Sequence, residues 1–200
     1  SNSSYQAVSV LVGIGSGTAG AGTNFTFAPT VVTIPANATS TVLSIPILND
    51  NTYSPDLTLI LQLSTPGNGS LGTQTSYTYT IQNVQAKPQL SFASSSSNIG
   101  EAGSTASIRV NLSSAASANL SIPFAFSGTA TEGSDFTVTT PSPLTLLKGA
   151  TFATIQLSII NDSLYEGNET AILTLQALTG ADLGTPSIHT LTIVDDDLPS

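Results

Sequence analysis

Apolar residues in the second half of the chain fall into period-two patterns: Leu120/Ile122/Phe124/Phe126, Ile155/Leu157/Ile159, Ile172/Leu173/Leu175 and Ile188/Leu191/Ile193. Alternation of this kind puts successive side chains on opposite faces of an extended chain, so each segment predicts a strand with one buried face. The segments are short, β-branched and separated by Gly, Pro, Ser and Asn, and no stretch sustains a helical period with caps. The pattern predicts strands near residues 89–93 (A), 105–112 (B), 118–126 (C), 136–147 (D), 152–160 (E), 170–177 (F) and 187–194 (G). Many short strands at regular spacing predict an all-β fold.

The first half repeats the second at an offset of 111 to 112 residues. Asn24-Phe25-Thr26 falls on Asp135-Phe136-Thr137, Asn49-Asp50 on Asn161-Asp162, Tyr53 on Tyr165, and Leu71-Gly72 on Leu183-Gly184. The chain therefore reads as tandem antiparallel immunoglobulin-like β-sandwiches, residues 1–86 and 87–200, with the boundary at Gln85-Ala86-Lys87-Pro88. The first copy begins at "VSVLVGIGSG", which matches strand C of the second, so strands A and B have no counterpart. Their loss would leave an apolar sheet face wet and a sheet edge unpaired, so either something covers that face or the sequence is cut from a longer one. In the first case the expected cover is strand addition to residues 7–86 from neighbouring repeats or identical subunits.

Composition narrows the partners. Of 200 residues, 40% are hydrophobic, enough for real cores, but only 8% are charged. The net charge is −9, with two lysines and one arginine, which leaves no cationic surface for nucleic acid or anionic lipid. No apolar run approaches the length of a membrane span, so direct membrane insertion is not expected. Without cysteine no disulfide can staple the fold. Sequons at Asn2, Asn24, Asn37, Asn68, Asn111, Asn119, Asn161 and Asn168 favour a secreted glycoprotein, extracellular or at the cell surface.

The acids are concentrated. If each strand of the second copy reverses direction, the A–B, C–D and E–F loops and the end of G emerge at one pole. Glu101 lies in A–B, Glu132 and Asp135 in C–D, Asp162, Glu166 and Glu169 in E–F, and Asp195, Asp196 and Asp197 follow G. No Lys or Arg accompanies them, and each close pair would cost about 1 kcal/mol even in a water-like dielectric. Such a pole needs a cation. Carboxylate and carbonyl oxygens without His or Cys select calcium over zinc or copper, and over magnesium, which keeps more of its waters.

At these positions "GEAGST", "GTATEGSDF", "IINDSLYEGNET" and the terminal "TIVDDD" resemble the Calx-β domain, a calcium-binding sandwich. The resemblance covers residues 89–197 fully and 7–86 in part. It implies Ca2+ carboxylate ligands at Glu101, Asp135, Asp162, Glu166, Glu169, Asp195, Asp196 and Asp197, with the Leu164 carbonyl as a further ligand. Glu132 matches no ligand position, and Asn161 and Ser163 depart from the most acidic form, which implies fewer or weaker ions. The first-copy equivalents are Asn24, Asp50, Ser54, Leu57, Asn83, Val84 and Gln85, so one carboxylate remains and no calcium is expected there.

Other chemistry finds little support. The G-x-G-x-x-G string at Gly15 to Gly20 has no helix behind it, and its counterpart in the second copy is a loop between strands. His189 is the sole histidine and lies on strand G, where a packed or solvent-facing role is expected; no nucleophile–base arrangement is visible. The expected function is a calcium-stabilised structural or adhesive module of an extracellular repeat protein. A filament subunit completed by donor strands and a regulatory calcium sensor are the alternatives; an enzyme is not expected.

Overall fold

The structure, a computed structural model, describes residues 4–199, so the sequon at Asn2 lies outside the described residues. Among the described residues there are strands and no helix, hence none long and apolar enough to cross a membrane. The chain forms two compact units that divide between Gln85 and Ala86.

The second unit contains β5 (Gln89–Phe92), β6 (Ser96–Gly100), β7 (Thr105–Leu112), β8 (Leu120–Ile122), β9 (Phe124–Gly128), β10 (Phe136–Val138), β11 (Leu144–Leu146), β12 (Phe152–Ile159), β13 (Glu169–Leu175), β14 (Asp182–Leu183) and β15 (Ile188–Val194). One sheet has the order β10-β12-β7-β5-β14 and the other β6-β15-β13-β9, with β8 and β11 as a separate antiparallel pair. Alternation decides the inner faces. Ala106, Ile108, Val110 and Leu112 of β7 and Ile155, Leu157 and Ile159 of β12 are buried with Ala171, Leu173 and Leu175 of β13 and Leu191 and Ile193 of β15. Each large apolar side chain so buried contributes about 1.5–3 kcal/mol relative to exposure.

Four details differ from the pattern read along the sequence. Ile188 is exposed and Ile172 only half-buried; the inward residue near the start of β15 is His189, which is 2% exposed. Its Nδ1–H donates to the Ser94 carbonyl at 2.8 Å, so Nε2 accepts from the Ser97 hydroxyl at 2.9 Å. His189 thereby pins the chain where strand A leaves its sheet: A continues as β6, which joins β15 in parallel. Strand C divides at Pro123, with β8 paired to β11 and β9 to β13. Strand D divides between β10 and β11, where Pro141 and Pro143 lack the amide a ladder needs and Thr139 and Thr140 reach the Gln156 carbonyl.

The first unit is one antiparallel sheet, order β2-β1-β3-β4, built from β1 (Val8–Ile14), β2 (Thr30–Ile34), β3 (Leu57–Gly67) and β4 (Ser76–Ile81). By the repeat offset these correspond to β8 with β9, β11, β13 and β15. Residues 40–48 correspond to β12 but pair only at Ile47 with Phe25, reinforced by Thr26 N–H on the Pro46 carbonyl and Leu48 N–H on the Asn24 carbonyl. Among the described residues nothing corresponds to β5, β6 or β7, and Val12, Phe25 and Leu59 are the buried apolar side chains of this unit.

Candidate metal centre

The loops at the acidic pole are held by backbone devices. Gly128 ends β9 at φ 119° with its Cα against the Thr170 carbonyl, so a Cβ there would strike that oxygen. The following Ala130 N–H donates to the same carbonyl at 3.0 Å, and Thr170 N–H to the Thr129 hydroxyl at 2.9 Å. This fixes the start of the C–D loop. At the A–B turn, Glu101 N–H continues the ladder onto the Val194 carbonyl at 2.9 Å. Gly167, at φ 76°, turns the E–F loop so that its amide and that of Glu166 meet one Asp195 oxygen at 2.6 and 2.8 Å.

Eight carboxylates converge on this scaffold, and their roles differ. Asp135, Glu166 and Glu169 each place one oxygen within 4.8 Å of the others, and Glu101, Asp196 and Asp197 do likewise. Between them lies a cavity of about 10 Å³, lined by Glu101, Asp135, Glu166, Glu169 and Asp195. Asp195 is an anchor: besides the two E–F amides it accepts from Asp197 N–H at 2.8 Å. Asp162 is the second anchor, accepting from Leu164 N–H at 2.7 Å while its own amide donates to Glu101 Oε1 at 3.0 Å. Asp135 caps its loop by accepting the Thr131 amide. The capping amides of Thr131 and Gly167 carry no chemical signal in the sequence beyond the glycine.

The electrostatics follow this division. Amides of Asp197, Gly167 and Glu166 hold the Asp195 carboxyl below its ordinary value, against the opposing effect of burial. Burial and the surrounding acids raise Glu166, Glu169 and Asp197. Glu169 is pushed up to about 7 by burial, by a hydrogen bond with Asp135 and by the charges of Asp135, Glu166 and Glu101. Glu166 rises through burial and then Asp135, Asp162, Glu101 and Asp195; Asp197 rises through burial and then Asp196, Asp195 and Asp162. Asp197 Oδ2 is buried with no hydrogen-bond partner among the described residues. An acceptor without a donor, two open triads and no basic side chain in these loops fit a hard cation.

The first unit keeps the loop scaffold and changes the chemistry. Gly20 N–H caps Asn24 Oδ1 at 2.9 Å where Thr131 caps Asp135. Thr52 N–H meets Asp50 Oδ1 at 3.0 Å as Leu164 meets Asp162, and Gln85 N–H meets Asn83 Oδ1 at 2.9 Å as Asp197 meets Asp195. Side-chain amides then bond across the pole: Asn24 Nδ2 to Asp50 Oδ2 at 3.3 Å, Asn83 Nδ2 to Ser54 Oγ at 3.2 Å, and Gln85 Nε2 to Asn49 Oδ1 at 2.8 Å. Neutral amides carry both donors and acceptors, so this pole satisfies itself.

The sequence pattern of one family, the Calx-beta domain, matches residues 2–84 and again 83–197. The chain belongs to the Calx-beta family. Among solved structures it is similar to the apo-form Calx CBD1 domain, with a TM-score of 0.50 and 24% identity over 56% of this chain and 100% of that one. It is also similar to CBD12 from CALX1.2, with a TM-score of 0.46 and 18% identity over 94% of this chain and 88% of that one. No curated protein matches the chain. Within the second Calx-beta repeat, Glu132 lies outside both triads and is exposed. Leu164 exposes its side chain and is tied to the site through its amide on Asp162.

Proposed function

We propose that the second Calx-beta repeat is a calcium-binding structural module of an extracellular or cell-surface protein. The observation that carries this reading is the pair of open carboxylate triads beside the donorless Asp197 oxygen. Calcium takes six to eight oxygens in loose geometry, which suits carboxylates drawn from four separate chain segments; magnesium would need a stricter octahedron. Asp135, Glu166 and Glu169 hold one position, Glu101, Asp196 and Asp197 a second, while Asp162 and Asp195 orient the loops that carry them. The Leu164 carbonyl, on the turn held by Asp162, is an additional oxygen for the same site.

Bound calcium ties the A–B, C–D and E–F loops to the end of β15, and so acts as a cross-link within the pole. The sequons support placement outside the cell: Asn37, Asn68, Asn119, Asn161 and Asn168 are exposed. Thermal unfolding of the chain in calcium, magnesium or chelator tests the function. Calcium at about a hundredfold over Kd should add about 2.7 kcal/mol to the second repeat, magnesium much less, and Asp135→Asn should remove most of the gain. A melting temperature indifferent to calcium and chelator would rule the reading out.

A further inference from the structure

The side chains of β6 and of the crossing that leads into it say little about where the strand should stop along β15. Ser94, Ser95, Ser96 and Ser97 are identical, Asn98 is polar, and Ile99 is the one apolar residue, packed against the core. β6 is an edge strand, paired in parallel from Ser96 against Thr190 to Gly100 against Val194. A slip of one residue would turn Ile99 to the wrong face, but a slip of two keeps it on its face, and a run of serines does little to oppose it. The ring of His189 singles out the observed register: Nδ1–H donates to the Ser94 carbonyl at 2.8 Å, and Nε2 accepts from the Ser97 hydroxyl at 2.9 Å. That ring is buried against Phe92, with centroids 5.6 Å apart, so it does not follow a sliding strand.

The register matters because Glu101 follows β6 directly. Its N–H donates to the Val194 carbonyl at 2.9 Å, its Oε1 accepts the Asp162 amide at 3.0 Å, and its carboxylate completes the triad with Asp196 and Asp197. A slip of two residues would carry it about 7 Å along the strand, away from all of these. We infer that His189, about 17 Å along β15 from Val194, is a positioning residue of the metal centre: through Ser94 and Ser97 it sets the register that delivers Glu101 to the second carboxylate triad. The inference rests on the calcium reading of that pole. An aliphatic residue in place of His189 would pack the inner face of β15 as Leu191 and Ile193 do, but it would bring no hydrogen bond to the crossing.

The test compares three variants of the full chain: His189→Phe, which fills the space without hydrogen bonds; Ser97→Ala, which removes one bond at an exposed position; and His189→Asn, which keeps a donor where Nδ1 lies. In chelator, amide exchange at Glu101 and Asp162 should speed up about tenfold in His189→Phe and in the same direction in Ser97→Ala, while the amides of β13 keep their rates. Calcium affinity, read by calorimetry, should fall in both. His189→Asn should recover slow exchange and affinity although it packs the core less well than Phe, an ordering that a merely structural histidine would reverse. Unchanged exchange at Glu101 and Asp162 in His189→Phe and Ser97→Ala, or equal acceleration across β13, would overturn the inference; where His189→Phe does not fold, Ser97→Ala alone decides. A wild-type chain that binds no calcium would remove the module function, and exchange in chelator would still decide whether His189 places Glu101.

Discussion

The side-chain amide of Gln85 donates to Asn49 Oδ1 at 2.8 Å, at the repeat position where the second Calx-beta domain carries Asp197 with a buried, donorless oxygen. One pole closes on itself through amides and the other leaves its acceptors open, although their backbone caps are alike. Chelator should therefore loosen only one of them. Amide exchange at residues 101, 166–169 and 194–197 should speed up on calcium removal, and exchange at 49–52 and 83–85 should not change.

Asp197→Asn should have effects of opposite sign with and without the ion. It removes a carboxylate of the proposed site, so calcium affinity should fall at least about tenfold. It also removes the cost of desolvating that charge and its repulsion from Asp196 and Asp195, so the calcium-free domain should gain stability. Calcium titration and urea unfolding in chelator read the two effects separately; a loss in both would mean that Asp197 is structural rather than a ligand.

The pH dependence follows from Glu169, whose carboxyl is raised from 4.5 to about 7. Between those values the folded, calcium-free domain holds a proton that the unfolded chain has released, so its stability should fall as pH rises across this window. Calcium competes with the same proton, and its affinity should rise over the same range. Glu166 and Asp197 act in the same direction; Asp195, which is lowered, contributes stability that is present above its unfolded value of 3.8 and lost as pH falls through its folded value. Urea midpoints in calcium-free buffer at pH 5 and pH 7.5 test the sign, and Glu169→Gln should flatten the difference.

Strands with strict alternation, such as β7 and β12, were legible because burial of one face dictates their composition. β6 was not: its sequence Ser-Ser-Asn-Ile-Gly offers one apolar residue, and it exists through parallel backbone pairing to β15 and the His189 bonds. The convergence of acids at one pole followed from strand reversal alone. Their separate roles did not, since Asp195, Asp196 and Asp197 are chemically identical in sequence and only the direction of the Glu166 and Gly167 amides makes Asp195 the anchor. The amide network of the first unit was hidden for a similar reason: the sequence showed lost charge, and the structure shows what replaced it.

Gly128→Ala should destabilise the second repeat by about 1–3 kcal/mol, because the Cβ would meet the Thr170 carbonyl at a φ of 119°. Gly133→Ala, at φ 95° with nothing within 4 Å of the added atom, should cost less. Denaturant unfolding of the two variants at saturating calcium makes the comparison.

The central claim is that calcium binds at one pole of this chain and not at its repeat-related counterpart. A residue-resolved NMR titration of the full chain with calcium measures this directly. Backbone amide shifts should saturate at Glu101, Thr131, Asp135, Asp162–Glu169 and Asp195–Asp197, while Asn24, Asn49–Thr52 and Asn83–Gln85 stay unmoved. Silence at the first set up to millimolar calcium, or equal shifts at both sets, would contradict the account.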